Sequence, residues 1–193
     1  MTIRIILFLI LSISISFPQN GNERLNKFLK DWVSYFGAPS ISAGISNNGK
    51  IVWINSSGLS NLEQSVTATP QTPYRVASVS KAITGVAIMQ LVEKGKLKLD
   101  EDIRKYLPQF PKKSWTFTIR QILNHTSGFR NYKNSAEFDS KVNFETTDDI
   151  VKYLSSDPLE YEPGTKYLYT TLSYNLLSAI IENVTGLYFE EYL

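Results

Sequence analysis

The segment from Val79 to Val92 most constrains the fold, because it is almost wholly apolar and its only charge is Lys81. A helix that is apolar on all sides belongs in a protein interior. We therefore expect a buried helix that begins near Ser78. Its end is expected near Gly95, because glycine is the residue type that most often closes a helix.

Lys81 stands out within this helix, and Ser78 lies one turn before it. Burial disfavours an ammonium ion, so we expect it to lower the pKa of Lys81. Residues three positions apart share a helical face, which places the Ser78 hydroxyl beside an amine that can accept its proton. The S-x-x-K pattern therefore predicts an activated serine nucleophile. Two simpler interpretations stay open here: Ser78 caps the helix, or Lys81 extends its amine to solvent.

The composition excludes several other classes of site. The chain of 193 residues has no cysteine, which rules out disulfides, thiolate metal sites and a cysteine nucleophile. One histidine, His125, cannot form a histidine-rich metal site. The 20 Lys and Arg residues nearly balance the 18 Asp and Glu residues and form no basic cluster, so nucleic acid is not an expected partner.

The first residues have the pattern of a secretory signal. Arg4 provides the positive charge, and residues 5–17 form an apolar run that is short for a membrane span. Ser14 and Ser16 make a small-x-small cleavage pattern, so we expect a signal peptide over 1–16 and the folded part over 17–193. This predicts a secreted or periplasmic protein with no stable membrane span after signal removal. The alternative is an uncleaved anchor.

Hydropathy and turn residues predict a helix, a hairpin and then a series of helices. The first helix is expected over 22–36, and two strands over 40–45 and 50–56 flank the Asn-Gly turn of a tight hairpin. A loop is expected over 58–72. Further helices are expected over 102–107, 118–124, 148–154 and 172–184, and another begins near 188. A hairpin alone is marginally stable, so this set of elements calls for more strands or for helices that cover the pair.

Four segments together carry a resemblance to a known family. They read RVASVSKAITGVAIMQLVEKGKLKLDEDIRKYLPQFP, ISAGISNNGKIVW, TIRQILNHTSGF and EPGTKYLYTTLSYNLLSAIIENVTG. These segments resemble the serine β-lactamase and penicillin-binding protein family, in its class C and esterase-like branch. The resemblance implies an α/β (α+β) fold of the β-lactamase/transpeptidase type: an antiparallel sheet flanked by helices, with a helical subdomain and the active site between them.

The resemblance also implies roles for individual residues. Ser78 matches the acylated serine, Lys81 its activating lysine, and Tyr169 the tyrosine of the family's Y-x-N motif, which moves protons between serine, lysine and leaving group. Thr171 stands where class C enzymes have asparagine, and it offers a hydroxyl in place of an amide. A second register, with Tyr174 as the tyrosine, lacks the Y-x-N spacing, and we prefer Tyr169.

His125 is a second candidate base for the serine. It lies in an N-H-T-S-G segment that forms a structural turn in the family. Since Ser78 already has a nearer lysine base, we interpret His125 as structural.

One family motif is missing from the sequence. No K-[ST]-G occurs, and in the family this motif lies on a later strand that also supplies one of two oxyanion-hole N–H groups. Loss of one such donor typically costs about 10²–10³-fold in rate. We therefore expect residues 17–193 to represent the N-terminal portion of the domain.

Three functions follow from the resemblance. The first is a serine hydrolase that acts on a small acyl substrate (a β-lactam, peptide or ester) and needs no metal or cofactor. The second is a catalytically incomplete relative that binds without turnover. The third is a cell-wall D-alanyl-D-alanine carboxypeptidase or transpeptidase. The sequence alone does not predict the oligomeric state.

Overall fold

The computed structural model describes residues 19–142 and 144–193, which form two compact units with a boundary between Arg75 and Val76. The expected signal peptide over 1–16 lies outside the described residues.

The first unit consists of one helix and a three-stranded antiparallel sheet in the order β1-β2-β3. The elements are α1 (Gln19–Phe36), β1 (Ser40–Asn47), β2 (Lys50–Asn61) and β3 (Val66–Thr67). Helix α1 packs on β2, where the Asn26 side chain accepts hydrogen bonds from Trp53 Nε1 at 3.1 Å and Asn55 Nδ2 at 2.6 Å. The predicted helix and strand pair are confirmed.

The hairpin turn between β1 and β2 has the predicted chemistry. Asn47 pairs with Lys50, which leaves the two residues Asn48 and Gly49 as the loop. Both have positive φ, 49° and 74°, as a tight turn between twisted strands requires. Asparagine and glycine are the residue types that tolerate this conformation best.

The second unit is helical. Its elements are a 3₁₀ turn (Ala77–Val79), α2 (Ser80–Glu93), a second 3₁₀ turn (Ile103–Lys105), α3 (Ile119–Leu123), α4 (Ser135–Phe138), α5 (Thr147–Ser155), a third 3₁₀ turn (Leu172–Tyr174), α6 (Asn175–Thr185) and α7 (Phe189–Tyr192). The antiparallel sheet and the group of helices confirm the predicted fold class.

Helices α2 and α6 face each other in the core of this unit. From α2 the buried residues are Thr84, Ala87, Ile88 and Leu91, and from α6 they are Leu176, Leu177, Ala179, Ile180 and Ile181. Three phenylalanine rings extend the core in edge-to-face contacts with centroids 5.0–6.2 Å apart: Phe110, Phe117 and Phe129. Such pairs add to the stabilisation from area burial alone.

The expectation that α2 is buried on all sides is wrong. Val79, Ile83, Val86 and Met89 form an exposed apolar stripe, with Val79 63% and Val86 60% exposed. The buried stripe recurs every three or four residues and contacts the core on one side of the helix only. An apolar composition does not by itself specify how many sides of a helix other elements cover.

Other elements also differ from the predictions. Strand β2 runs on to Asn61, and β3 pairs with it inside the segment expected to be loop, Leu59 opposite Thr67. Helix α4 was not predicted, because four residues are too few to show a period. Its Asn134 side chain caps the Glu137 N–H at 2.9 Å, a sequence pattern that could have indicated it.

None of the helices within residues 19–142 and 144–193 has the length and apolarity to cross a bilayer.

Gly128 is a position where only glycine fits. Its φ is +86°, and an added Cβ would lie 2.5 Å from the carbonyl oxygen of Tyr161. We expect Gly128→Ala to lower the free energy of unfolding by more than about 2 kcal/mol, because it combines left-handed strain with a backbone clash. Denaturant unfolding of both proteins measures this change.

Gly186 provides the matched control. It also has positive φ, +74°, at the end of α6, but an added Cβ would meet nothing within 4 Å. Gly186→Ala should therefore cost only about 1 kcal/mol, from strain. Equal losses for the two variants would show that the approach of Tyr161 does not matter.

Candidate active site

Ser78 lies in the 3₁₀ turn that leads directly into α2, so it precedes the helix instead of opening it. The N-cap residue of α2 is Val79, and no side chain caps this end. The capping interpretation of Ser78 is therefore wrong. Its neighbour Ala77 has φ +44°, an unusual conformation for alanine that turns the chain just before the serine. Ser78 is exposed.

The amine of Lys81 lies between two hydroxyl groups. Nζ donates to Ser78 Oγ at 3.2 Å and to Thr171 Oγ1 at 3.2 Å. Its stem is half-buried, so the side chain does not simply extend into solvent. Within the part of the chain that the structure describes, no Asp or Glu forms an ion pair with this amine.

Tyr169 reaches the same serine from a segment 91 residues further along the chain. Its phenol donates to Ser78 Oγ at 2.8 Å. The pKa of Tyr169 is lowered from its usual value, chiefly by the hydrogen-bonding amine of Lys81 and next by the Ser78 hydroxyl. Both groups favour the phenolate over the phenol. Ser78 therefore has two candidate proton acceptors within hydrogen-bond distance, an amine and a phenol.

The segment that carries Tyr169 is held by the segment that begins at His125. The Leu168 N–H donates to the His125 carbonyl at 2.9 Å, and the Gly164 N–H donates to the Thr126 carbonyl at 2.8 Å. Both bonds lie on the N-terminal side of Tyr169, and they fix the path of the backbone that leads to it.

Thr170 continues this attachment on the other side of Tyr169. Its N–H donates to His125 Nδ1 at 3.3 Å, and its buried hydroxyl donates to the Arg130 carbonyl at 2.8 Å. The phenol of Tyr169 therefore projects from a backbone that is anchored at both neighbouring residues.

Arg130 is anchored in turn by two carboxylates. Its guanidinium is buried and forms ion pairs with Glu137 at 2.8 Å and Asp157 at 2.6 Å. Arg130, together with the Lys133 N–H and the Tyr153 hydroxyl, lowers the pKa of Glu137 to about 2. Arginine is suited to such a site because its planar guanidinium can donate to both oxygens of a carboxylate.

The ring of His125 packs against Tyr169 and not against Ser78. Its ring lies 4.4 Å from the ring of Tyr169 and 5.0 Å from the ring of Tyr174, measured between centroids. Its own φ is +58°, which ends α3 and turns the chain towards Thr126. These contacts support the structural interpretation of His125.

Tyr174 is not equivalent to Tyr169. Its hydroxyl donates to the Leu123 carbonyl at 2.8 Å, while its ring lies 5.6 Å from Lys81 Nζ. The structure therefore places the Tyr169 hydroxyl at Ser78, whereas the Tyr174 hydroxyl is hydrogen-bonded to the backbone of α3.

A cavity of about 420 Å³ opens beside these groups. Ser78, Lys81 and Thr171 line it, so the structure joins three of the four predicted site residues in one space. Its remaining walls are Ala77, Ser80, Thr84, Tyr132, Phe138, Tyr174, Asn175, Ser178 and Phe189. The sequence analysis missed Tyr132, Phe138 and Asn175 because no motif marks them and only the fold brings them to Ser78. We call this space the catalytic cavity.

No cluster of three or more His, Asp or Glu side chains that could hold a metal ion occurs within residues 19–142 and 144–193.

The helices and the antiparallel sheet have the fold of the β-lactamase/transpeptidase class. The chain belongs to the Beta-lactamase family, whose model matches residues 29–193.

Similar proteins are found in bacteria, archaea and mammals. Protein flp of Staphylococcus aureus N315 is 30% identical over 178 residues, which cover 90% of this chain and 36% of that protein. The mouse protein named serine beta-lactamase-like protein LACTB, mitochondrial, is 28% identical over 231 residues, covering 81% of this chain and 42% of that one.

Among solved structures, the octameric penicillin-binding protein homologue from Pyrococcus abyssi superposes with a TM-score of 0.77. It is 29% identical, and the match covers 88% of this chain and 40% of that one. The chain thus spans about two fifths of the length of the relatives it matches.

The environment of His125 predicts a measurable shift. Burial lowers its pKa below 6.5, and the nearby Lys81 lowers it further. Since the chain has one histidine, a single imidazole signal in an NMR titration of untagged protein reports it. We expect a midpoint below 6.5, and a midpoint above that value would contradict this description of the site.

The same shift gives a stability effect with a definite sign. The folded state favours a neutral His125. The contribution of His125 to the free energy of unfolding is therefore complete above pH 6.5 and is lost as the pH falls through the pKa of the folded state. We expect His125→Asn, which tolerates positive φ and cannot titrate, to destabilise the protein more at pH 7.5 than at pH 5. An equal loss at both pH values would show that the charge state of His125 is irrelevant.

Proposed function

We propose that this protein is a serine hydrolase that forms an acyl-enzyme on Ser78. The observation that carries the proposal is the position of Ser78 Oγ, which lies 3.2 Å from Lys81 Nζ and 2.8 Å from the Tyr169 hydroxyl. A serine hydroxyl is a weak nucleophile until a neighbouring base removes its proton. Membership of the Beta-lactamase family supports the same chemistry.

The mechanism has two halves. Ser78 Oγ attacks the acyl carbonyl carbon while its proton passes to the amine of Lys81, and a tetrahedral intermediate forms. The bond to the leaving group then breaks, and Tyr169 donates a proton to that group and recovers one from Lys81. Water next attacks the acyl ester by the reverse set of proton transfers and releases the carboxylic acid and free Ser78.

The substrate is a small acyl compound: an ester, a peptide or a β-lactam. Thr171 offers a hydroxyl where class C relatives use an amide, so it can make fewer hydrogen bonds to an amide-bearing substrate. With a D-alanyl-D-alanine peptide as substrate, transfer of the acyl group to water would make the protein a cell-wall carboxypeptidase, and transfer to an amine would make it a transpeptidase. Both use the same first half-reaction. We further propose that the protein acts outside the cytoplasm, on the basis of its first 16 residues.

A second candidate function is binding without turnover. In this case Ser78 would react slowly with an activated acyl reagent and would release the acyl group even more slowly.

The nucleophile can be identified by covalent labelling. A fluorophosphonate or a labelled penicillin, incubated with the full chain, should attach to Ser78 in a one-to-one ratio, because this is the hydroxyl with two adjacent proton acceptors. Peptide mass spectrometry locates the label. Both candidate functions predict labelling, and measurement of p-nitrophenol release from p-nitrophenyl acetate separates them.

Two other serines serve as internal controls. Ser80 lines the same cavity, and Ser127 is buried. Label on either of these, or undiminished labelling of Ser78→Ala, would overturn the assignment of Ser78.

The base can be tested by charge-preserving substitution. Lys81→Arg should lower the acylation rate by about 10²–10⁴-fold, because arginine stays protonated and cannot accept the serine proton. The burst rate with p-nitrophenyl acetate measures this step. The exposed Lys96→Arg is the control with the same chemical change and should keep the parent rate.

Tyr169→Phe separates the two acceptors. If Lys81 is the base and Tyr169 acts on the leaving group, the phenylalanine variant should lose more activity with a poor alkoxide leaving group than with p-nitrophenolate. Wild-type acylation by Lys81→Arg together with full loss in Tyr169→Phe would instead make Tyr169 the base.

A further inference from the structure

The backbone N–H of Thr170, the residue after Tyr169, is bonded to a side chain that titrates. It donates to His125 Nδ1 at 3.3 Å, and Thr170 is buried. Nδ1 accepts this bond only while it keeps its lone pair, which requires the neutral imidazole with its proton on Nε2. In the imidazolium ion both ring nitrogens are donors, so two N–H groups would face each other. Protonation of His125 therefore breaks the bond that anchors Thr170.

The loss of this bond leaves a buried donor without an acceptor. Of the residues that the structure describes, none but His125 accepts a hydrogen bond from the Thr170 N–H. An unpaired backbone donor in the interior costs free energy comparable to a lost hydrogen bond. The segment must therefore shift towards water or another acceptor once His125 is charged. Tyr169 is the direct neighbour of Thr170, so the shift displaces its hydroxyl from Ser78.

The His125 ring also contacts the Tyr169 side chain directly. The two ring centroids are 4.4 Å apart, and the Tyr174 ring lies 5.0 Å from His125. Lys81 Nζ lies 4.9 Å from the centroid of the Tyr169 ring and 5.6 Å from that of Tyr174. A charged imidazole would share these two rings with the lysine, and like charges disfavour each other at such distances. The state of His125 thus reaches Tyr169 through its ring and through its backbone.

The groups that face His125 favour its neutral form. They are Lys81 from α2 and three tyrosines of the following segment: Tyr167, Tyr169 and Tyr174. No carboxylate in the described ranges forms an ion pair with the imidazole, so no anion stabilises its charged form. Burial and Lys81 both lower the pKa of His125 from 6.5. The ring is therefore a hydrogen-bond acceptor at neutral pH and loses that role as the pH falls.

We propose that His125 is a pH-dependent positioning residue: the neutral imidazole holds the Tyr169 hydroxyl at Ser78 Oγ, and the imidazolium releases it. Acylation of Ser78 then slows as His125 gains a proton, in addition to any effect of protonating Lys81. His125 acts through Tyr169 and does not touch the reacting atoms. The inference rests on the proposed function, because it assumes that Tyr169 takes part in the reaction at Ser78.

The pH profile of acylation tests the proposal on the full chain. The substrate is benzyl acetate, because its alkoxide leaving group depends on the proton from Tyr169. We expect kcat/KM, measured from pH 4 to pH 8, to fall in a step of about tenfold or more, the size of effect that one unpaired buried donor produces. Its midpoint should coincide with that of the His125 signal in NMR. If turnover is too slow, the rate of Ser78 labelling by a fluorophosphonate replaces kcat/KM.

Two substitutions at His125 separate the acceptor from the charge. His125→Asn offers an amide oxygen that accepts a hydrogen bond and does not titrate, and asparagine tolerates the φ of +58°. It should lack the step, while any limb that Lys81 contributes stays. His125→Gly keeps the backbone conformation without an acceptor, so its rate should be low at every pH. Asn48→Gly, which replaces a residue with φ +49° in the hairpin turn, is the matched control and should keep the parent profile.

A double-mutant cycle at pH 7.5 tests whether His125 acts through Tyr169. His125→Gly should lower kcat/KM by about tenfold in the parent protein. In the Tyr169→Phe background it should lower kcat/KM by less than about twofold, because that variant has no hydroxyl to position. Thermal unfolding checks that each variant is folded. Independent effects of the two substitutions would show that His125 supports only the fold and would overturn the proposal.

The outcomes distinguish the inference from the proposed function. If Ser78 is labelled but the step persists in His125→Asn, or its midpoint differs from that of the His125 signal, the positioning role is overturned and the proposed function stands. If Ser78 is not labelled at any pH, the proposed function fails and the inference fails with it. Circular dichroism at each pH shows whether the parent protein stays folded. If it unfolds in acid, the cycle at pH 7.5 decides.

Discussion

The site depends on the hydrogen bonds that attach the Tyr169 segment to the segment beginning at His125. Ser78 and Lys81 are neighbours in sequence, so a single turn brings them together. Tyr169 is 91 residues away, and local structure cannot bring it there. It is held because backbone groups at Leu168 and Thr170 both bond to His125, one to its carbonyl and one to its ring. A buried backbone that loses such partners costs free energy, so these bonds specify one path for the segment.

Among the described residues, two of the four non-glycine residues with positive φ lie at the same place. Ala77 precedes the nucleophile and His125 supports Tyr169, and both have positive φ without being glycine. Each such residue costs about 1–2 kcal/mol and persists only where surrounding contacts hold it. At His125 the contacts are visible, and they include the rings of Tyr169 and Tyr174 and the hydrogen bonds from Leu168 and Thr170. At Ala77 and His125 the strained backbone conformation therefore helps to position a side chain of the site.

The ion pairs of Arg130 support the segment that carries Tyr169. The Arg130 carbonyl accepts a hydrogen bond from the Thr170 hydroxyl, and its guanidinium pairs with Glu137 and Asp157. Breaking one partner of a buried ion pair is strongly destabilising, because the other charge is left without compensation. A change in this cluster would thus act on the position of Tyr169.

The sequence by itself determined the features that depend on residues close together in the chain. It specified the Asn-Gly hairpin, the helix after Ser78, and the adjacency of Ser78 and Lys81. Turn residues, an apolar run and a spacing of three residues indicate these features, and each pattern extends over only a few residues. Tertiary structure decided the rest. It left Val79 and Val86 exposed on a helix that is apolar all round, because coverage depends on neighbouring elements. It placed Tyr132 in the cavity of Ser78, because packing between distant segments leaves no local pattern in the sequence. It also supplied the contacts that hold Tyr169 at Ser78, which the sequence indicated only through a family resemblance.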